Sequence, residues 1–192
     1  VQTCAVPISA RMTPLLEARR LTKQFPGVVA LLDVNFTLAP GEIHALCGEN
    51  GAGKSTLIKL LSGIHRYGSY EGELLVDGTA VQFRGIADAE RAGIAVITQE
   101  LALVDELSIA ENIFLGRLPR RGWRVDWHEM HRRAAALLAD FGLALTPEMP
   151  VGKLGIGHKQ LIEIVRALDK RSRVLVLDEP SAALTEAEVA TL

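Results

Sequence analysis

"GENGAGKST", Gly48 to Thr56, decides how this chain folds. Gly48, Gly53, Lys54 and Ser55 fit the phosphate-loop pattern G-x-x-x-x-G-K-[ST]. The glycines let the backbone curl until successive N–H groups face a phosphate. Lys54 brings positive charge to the outer phosphates of a nucleotide, and the Ser55 hydroxyl suits Mg²⁺. The candidate phosphate contacts are Gly48, Glu49, Asn50, Gly51, Ala52, Gly53, Lys54, Ser55 and Thr56. The competing reading is an ordinary glycine-rich turn between a strand and a helix. The flanks argue against it. "EIHALC" (Glu42 to Cys47) reads as a buried strand leading in, and Lys54 to about Ser62 reads as a helix leading out, with Leu57, Leu60, Leu61 and Ile64 at helical spacing.

Upstream, Leu15 to Phe25 and Val28 to Leu38 read as two strands joined by a turn at Pro26–Gly27. Downstream, Gly72 to Phe83 reads as a hairpin turning at Asp77–Gly78–Thr79, and Ile94 to Ile97 as a short strand. From about Leu101 to Lys170 the pattern becomes mostly helical. Asp126 can cap a helix there, with Glu129 three residues on. Met130, Ala134, Leu137, Leu138 and Phe141 form its apolar stripe. Val174 to Leu177 is continuously apolar, which predicts a parallel strand buried on both faces.

Composition sets the class. With 192 residues, 48% hydrophobic and 23% charged, the chain has material for a sizeable core. Its net charge of -2 gives no overall basic bias toward nucleic acid. Cys4 and Cys47 suggest neither a disulfide framework nor a Cys-based metal site, which points to a reducing compartment. No apolar run is long enough to span a bilayer. Met12 reads as a possible start, with residues 1–11 an N-terminal extension rather than a signal peptide.

A second chemical signal is "VLVLDEP", Val174 to Pro180. Two acids ending an apolar strand call for a partner, because carboxylates at a core edge are costly. Asp178 suits the Mg²⁺ of a bound ATP. Glu179, facing the other way, suits polarising an attacking water. Gln99, after the strand Ile94 to Ile97, is either a contact for Mg²⁺ and water or a polar strand exit. Phe25 is either an adenine-stacking ring or core. "LGIGHKQ", residues 154–160, is a glycine-rich helix start that either binds an anion or is a plain turn. His128 and His131 lack a third metal ligand and read as solvated. "RLPRRGWR" (Arg117 to Arg124) reads as a solvated loop or protein contact rather than a nucleic-acid site.

Taken in order, these motifs resemble those of the ATP-binding subunits of ABC transporters, over nearly all of residues 15–192. The resemblance implies that Phe25 stacks on adenine, that 48–56 is the Walker A loop, and that Gln99 is the Q-loop glutamine. It makes Leu154, Gly155, Ile156, Gly157 and His158 the signature loop, Asp178 the Walker B aspartate and Glu179 the catalytic glutamate. Ser181 to Thr185 becomes the D-loop. Gln99 and Glu179 are thereby the catalytic candidates, and Ser55, Gln99 and Asp178 the Mg²⁺ set. "HALCGENGAGKSTLIKLLSGI", "GSYEGE", "ITQELALVDELSIAENIFLG" and "DEPSAALTEAE" resemble the first cassette of the double-cassette ATPases of monosaccharide importers, particularly for xylose and related pentoses.

That family implies an α/β fold: a P-loop NTPase (RecA-like) core with an antiparallel β subdomain and an inserted helical subdomain. The core would comprise 12–98 and 171–192, and the helical subdomain 99–170. It implies ATP and Mg²⁺, a second ATP-binding cassette, membrane permease subunits and a periplasmic sugar-binding protein, with no nucleic acid and no membrane span of its own. The site of work would be the cytoplasmic face of the inner membrane, as a peripheral subunit. Two departures stand out. The family's signature begins Leu-Ser-Gly-Gly-Gln, whereas here Gly155, Ile156 and His158 replace the serine, first glycine and glutamine. The family's switch histidine follows the D-loop on a strand beyond Leu192, so a C-terminally truncated cassette is expected. The alternatives are a soluble, non-transport ABC ATPase and an ATP-binding fragment that does not hydrolyse.

Overall fold

The computed structural model describes residues 2–5, 13–97, 102–170 and 172–178. Gln99, Glu179 and the stretch Ser181 to Thr185 lie outside the described residues. The chain divides into two compact units, Val1–Ala95 and Val96–Leu192.

The first unit opens with β1 (Gln2–Ala5), followed by the long strands β2 (Leu16–Phe25) and β3 (Val28–Leu38), then β4 (His44–Cys47) and helix α1 (Lys54–Leu61). Strands β5 (Glu71–Val76) and β6 (Thr79–Val81) and helix α2 (Ile86–Arg91) follow, and strand β7 (Ile94–Ile97) runs across the division into the second unit. Strands β3, β2, β5 and β6 pair in that order as one four-stranded antiparallel sheet. Leu16 stands opposite both Leu38 and Val76, which sets the register. Strand β2 buries Leu16, Ala18 and Leu21. Its ladder with β3 is irregular between Ala18 and Gln24, and Arg20 and Asp33 take positive φ there. The Asp77–Gly78 turn has both φ values positive, 50° and 73°, matching the right-handed twist of the strands it joins. Helix α1 buries Leu57, Ile58, Leu60 and Leu61.

Within residues 1–11, read as an extension, Gln2–Ala5 pairs antiparallel with β4, Gln2 opposite Cys47 and Ala5 opposite His44. One expectation changes here. Strand β4 is less covered than its apolar run implies: Ala45 and Cys47 are exposed. Among the described residues its hydrogen-bonded neighbour is the four-residue β1 alone, so coverage falls on the side of His44, whose ring meets Phe36 edge-on at 4.8 Å.

The second unit is mainly helical. It holds α3 (Ile109–Ile113), the two-residue strands β8 (Arg120–Arg121) and β9 (Arg124–Val125), α4 (Trp127–Asp140), a 3-10 turn at Val151–Lys153, α5 (Ile156–Asp169) and strand β10 (Val174–Leu177). Asp126 caps α4 as read from sequence, accepting the Glu129 N–H at 3.0 Å. The reciprocal bond expected of a capping box is absent there, because Glu129 turns to Arg132 instead. The full box sits at α3, where Ser108 and Glu111 exchange bonds. Ile109, Ile113 and Phe114 pack with Met130, Ala134 and Leu138 of α4 and Ile162 and Val165 of α5. Arg120–Arg121 and Arg124–Val125 form a small hairpin where the sequence suggested a loop, and Trp123 at its tip is 80% exposed. Strand β10 pairs with β7, and Asp178 N–H donates to Ile97 O at 3.0 Å. Only Val174 of β10 is fully buried, and Leu177 is exposed, so the expected double-sided burial is partial.

Candidate functional site

In the first unit the site is built at the junction of β4 and α1. Glu42 braces the strand: its carboxylate accepts the Ala39 N–H at 2.7 Å and contacts His44 Nδ1 at 3.1 Å. The backbone bond from Ala39 foremost, and His44 as well, hold this carboxyl below its usual range. The loop then turns through Gly51 and Gly53, at φ 85° and 90°. At Gly53 a β-carbon would stand 2.4 Å from the Ala30 carbonyl oxygen and 2.9 Å from Leu31 Cδ2, so only glycine fits. This close approach seats the start of α1 on β3.

Lys54 opens α1 and folds back over the loop, its ammonium donating to Gly48 O at 2.7 Å and Glu49 O at 3.0 Å. Ala52 N–H closes a turn onto Glu49 O at 3.1 Å. The N–H groups of Lys54, Ser55 and Thr56 fall in the first turn of a helix, where no intrahelical acceptor exists. Gly53, the helix-capping residue, provides no side-chain acceptor for them. Ser55 is exposed. Positive charge, free N–H groups and the positive end of a helix converge, which is what an anion requires.

Phe25 ends β2 and is 40% exposed, so it is not core. The Lys23 ammonium lies 5.1 Å from its ring centre and the His65 ring 5.6 Å away. Burial first, and then the Lys23 and Lys59 charges, push the His65 imidazole below its ordinary value, so it is neutral at neutral pH. Sequence reading missed Lys23 and His65 at this ring. Their only signal was cationic and aromatic residues at strand and helix ends.

In the second unit, Leu154 closes the 3-10 turn through its N–H to Val151 O at 3.0 Å and packs on the helical core. Gly155 precedes α5 in extended backbone and gives no side-chain cap. Ile156 is 57% exposed, Gly157 is buried and His158 is exposed. This helix start therefore offers backbone N–H groups with no hydroxyl beside them. Asp178 follows β10 directly.

Ser55 in the first unit presents an exposed hydroxyl, a hard oxygen donor of the kind Mg²⁺ prefers. Among the described residues no group of three or more His, Cys, Asp or Glu could hold a metal.

Comparison with known proteins gives this geometry a family. Residues 31–182 match the ABC transporter family. The chain is 57% identical over 178 residues to the xylose import ATP-binding protein XylG of Moorella thermoacetica, covering 93% of this chain and 35% of that protein. It is 53% identical to the L-arabinose transport ATP-binding protein AraG of Geobacillus stearothermophilus, covering 90% of this chain and 34% of that one. A solved nucleotide-free ATP-binding cassette from an ABC transporter shares its fold with a TM-score of 0.79 at 25% identity, over 93% of this chain and 74% of that one. The fold is thus the mixed α/β cassette with an antiparallel sheet that the motifs implied. The chain spans about a third of the length of the curated relatives it matches.

Proposed function

Because this chain belongs to the ABC transporter family, we propose that it binds and hydrolyses ATP to drive import of a monosaccharide, xylose or a related pentose. The observation that carries the reading is the 48–56 loop, where Gly53 fits no other residue and Lys54 crowns an open helix start. Its similarity to a xylose import and an L-arabinose transport ATP-binding protein supports the class of cargo.

In this proposal the loop N–H groups and Lys54 hold the β- and γ-phosphates, and Phe25 stacks on adenine. Ser55, Gln99 and Asp178 would hold Mg²⁺, which would supply charge neutralisation at the phosphates. Glu179 accepts a proton from a water that attacks the γ-phosphorus. The bond to the bridging oxygen breaks and ADP and phosphate leave. Residues 12–98 and 171–192 form the nucleotide-binding core and 99–170 the helical subdomain. The loop 154–158 faces the ATP of a second cassette. Gly155 brings no hydroxyl to that phosphate, so this loop acts through its backbone. Permease subunits and a periplasmic sugar-binding protein complete the assembly, at the cytoplasmic face of the inner membrane. Among the described residues no helix is long and apolar enough to cross a membrane.

The test is ATP binding by titration calorimetry on the chain and on Lys54→Ala. Loss of measurable affinity in the variant is expected. Unchanged affinity would remove the loop from the nucleotide site.

A further inference from the structure

The link from α3 to α4 carries charge that neither the fold nor the nucleotide chemistry uses. "RLPRRGWRV", Arg117 to Val125, holds four arginines and no acid. Arg117 serves the fold: its guanidinium donates to the Asp169 carboxylate and to the Ile113 and Arg166 carbonyls, at 3.0 and 3.3 Å. Arg120, Arg121 and Arg124 are exposed, and none of the three meets a carboxylate among the described residues. The next acids along the chain are engaged elsewhere: Asp126 accepts the Glu129 N–H, and Glu129 faces Arg132 at 2.7 Å. Three unneutralised positive charges thus stand within five residues, in a chain whose net charge is -2.

The hairpin presents these charges beside two indoles. Strands β8 and β9 pair Arg121 with Arg124, and Gly122 turns the chain at φ 65°. Two-residue strands do not hold a shape alone. Here the base is closed by the Asp126 N–H on Pro119 O at 2.9 Å and by the Arg117 bonds to α3 and α5. Arg121 and Arg124 stand opposite each other, where like charges repel, so the pair costs stability rather than adding it. Trp123, at the tip, is 80% exposed and rests on the Arg124 guanidinium, 4.4 Å from its ring centre. Trp127, at the start of α4, is 51% exposed. An indole left in water at a turn adds nothing to the core.

Exposed indoles flanked by arginines suit a boundary between water and hydrocarbon that carries anionic phosphates. Tryptophan favours the headgroup level of a bilayer, where its apolar body and its N–H are both satisfied. Guanidinium forks pair with phosphate oxygens, while their apolar stems lie along apolar surface. An acidic protein segment fits less well. A strand of two residues leaves no edge for a partner strand, and an indole tip adds nothing to a row of carboxylates. We propose that the β8–β9 hairpin contacts an anionic bilayer surface, with Arg120, Arg121 and Arg124 on lipid phosphates and Trp123 at the headgroup level. The contact stands on the hairpin alone; that the surface is the cytoplasmic leaflet rests on the proposed function.

The test is co-sedimentation of the full chain with vesicles of phosphatidylglycerol and phosphatidylcholine in equal parts, beside vesicles of phosphatidylcholine alone. Each arginine at an anionic surface contributes about fivefold to partitioning, and the Trp123 indole about tenfold. The unaltered chain should therefore enter the anionic vesicles with a partition coefficient on the order of 10³ M⁻¹ and bind phosphatidylcholine about a hundredfold less. Rising salt should release it. R120Q/R121Q/R124Q should weaken anionic binding about a hundredfold, and Trp123→Ala about tenfold. All four side chains are exposed, so ATP affinity should stay within about twofold in both variants. Unweakened binding by the triple variant, or equal binding to the two kinds of vesicle, overturns the proposal. So does capture of the chain by polyglutamate or polyuridylate without binding to the anionic vesicles, which assigns the hairpin to another acidic polymer. An unaltered chain that binds ATP but no anionic vesicles overturns the contact and leaves the proposed function standing. One that binds the vesicles but no ATP does the reverse.

Discussion

Gly53→Ala and Gly51→Ala form a matched pair that separates two costs. Both glycines have left-handed backbone, φ 90° and 85°. An alanine in that region costs about 1–2 kcal/mol, partly offset by about 0.4–1 kcal/mol of lost freedom in the unfolded chain. A β-carbon at Gly51 meets nothing within 4 Å, so that is the whole effect. At Gly53 the β-carbon would stand 2.4 Å from the Ala30 carbonyl oxygen, a backbone atom that cannot swing aside. Strand β3 or α1 must shift, which adds about 1–3 kcal/mol by analogy with overpacked cores. With a urea slope of about 1–3 kcal/mol/M, the Gly53→Ala midpoint should lie roughly 0.3–3 M below that of Gly51→Ala. Circular dichroism during urea titration reads this without nucleotide. Equal midpoints at equal slopes would refute the close approach of α1 to β3 and, with it, the account of why position 53 is glycine.

Glu179→Gln should bind ATP as before and lose turnover; measured hydrolysis at the unaltered rate would take Glu179 out of the catalytic role. Ser108→Ala removes the hydroxyl half of the box that starts α3, leaving the Ser108 N–H on the Glu111 carboxylate, and should cost about 1 kcal/mol, read as a lowered thermal midpoint. Burial raises the Glu163 pKa above its ordinary 4.5, so the folded chain holds that proton more tightly than the unfolded chain. Stability contributed by the protonated form is therefore complete below pH 4.5 and declines as pH rises through the folded value. Glu163→Gln should flatten that decline in urea midpoints taken across pH 4 to 8, and an unaltered slope would count against the burial.

The legible parts of this molecule were those whose logic is local. The 48–56 loop carries its own geometry in a run of nine residues, flanked by a strand and a helix. Asp77–Gly78 and Asp126 announce a turn and a cap from their own side chains. Ser108-x-x-Glu111 was equally readable, but α3 is only five residues long and shows no periodic stripe to attract notice. Glu163 was not readable, since its partner Ala102 lies 61 positions away. A lone acid in an apolar helix looks like a solvated residue until the packing is known. The burial expected of "EIHALC" failed for the same reason, because a strand's coverage depends on neighbours its own residues do not specify. Phe25 left two readings open, and only tertiary exposure removed one of them.

The β8–β9 hairpin has an optical consequence. The chain has two tryptophans, Trp123 and Trp127, and both lie in the second unit. Trp123 is exposed with the Arg124 guanidinium 4.4 Å from its ring centre, and Trp127 is half exposed against His131. Indole emission from this protein should therefore be red-shifted and open to aqueous quenchers. The first unit contributes only Tyr67 and Tyr70. Any change in tryptophan emission when ATP is added is thus a signal sent from the helical part, giving a label-free readout of whether nucleotide at the 48–56 loop is felt there.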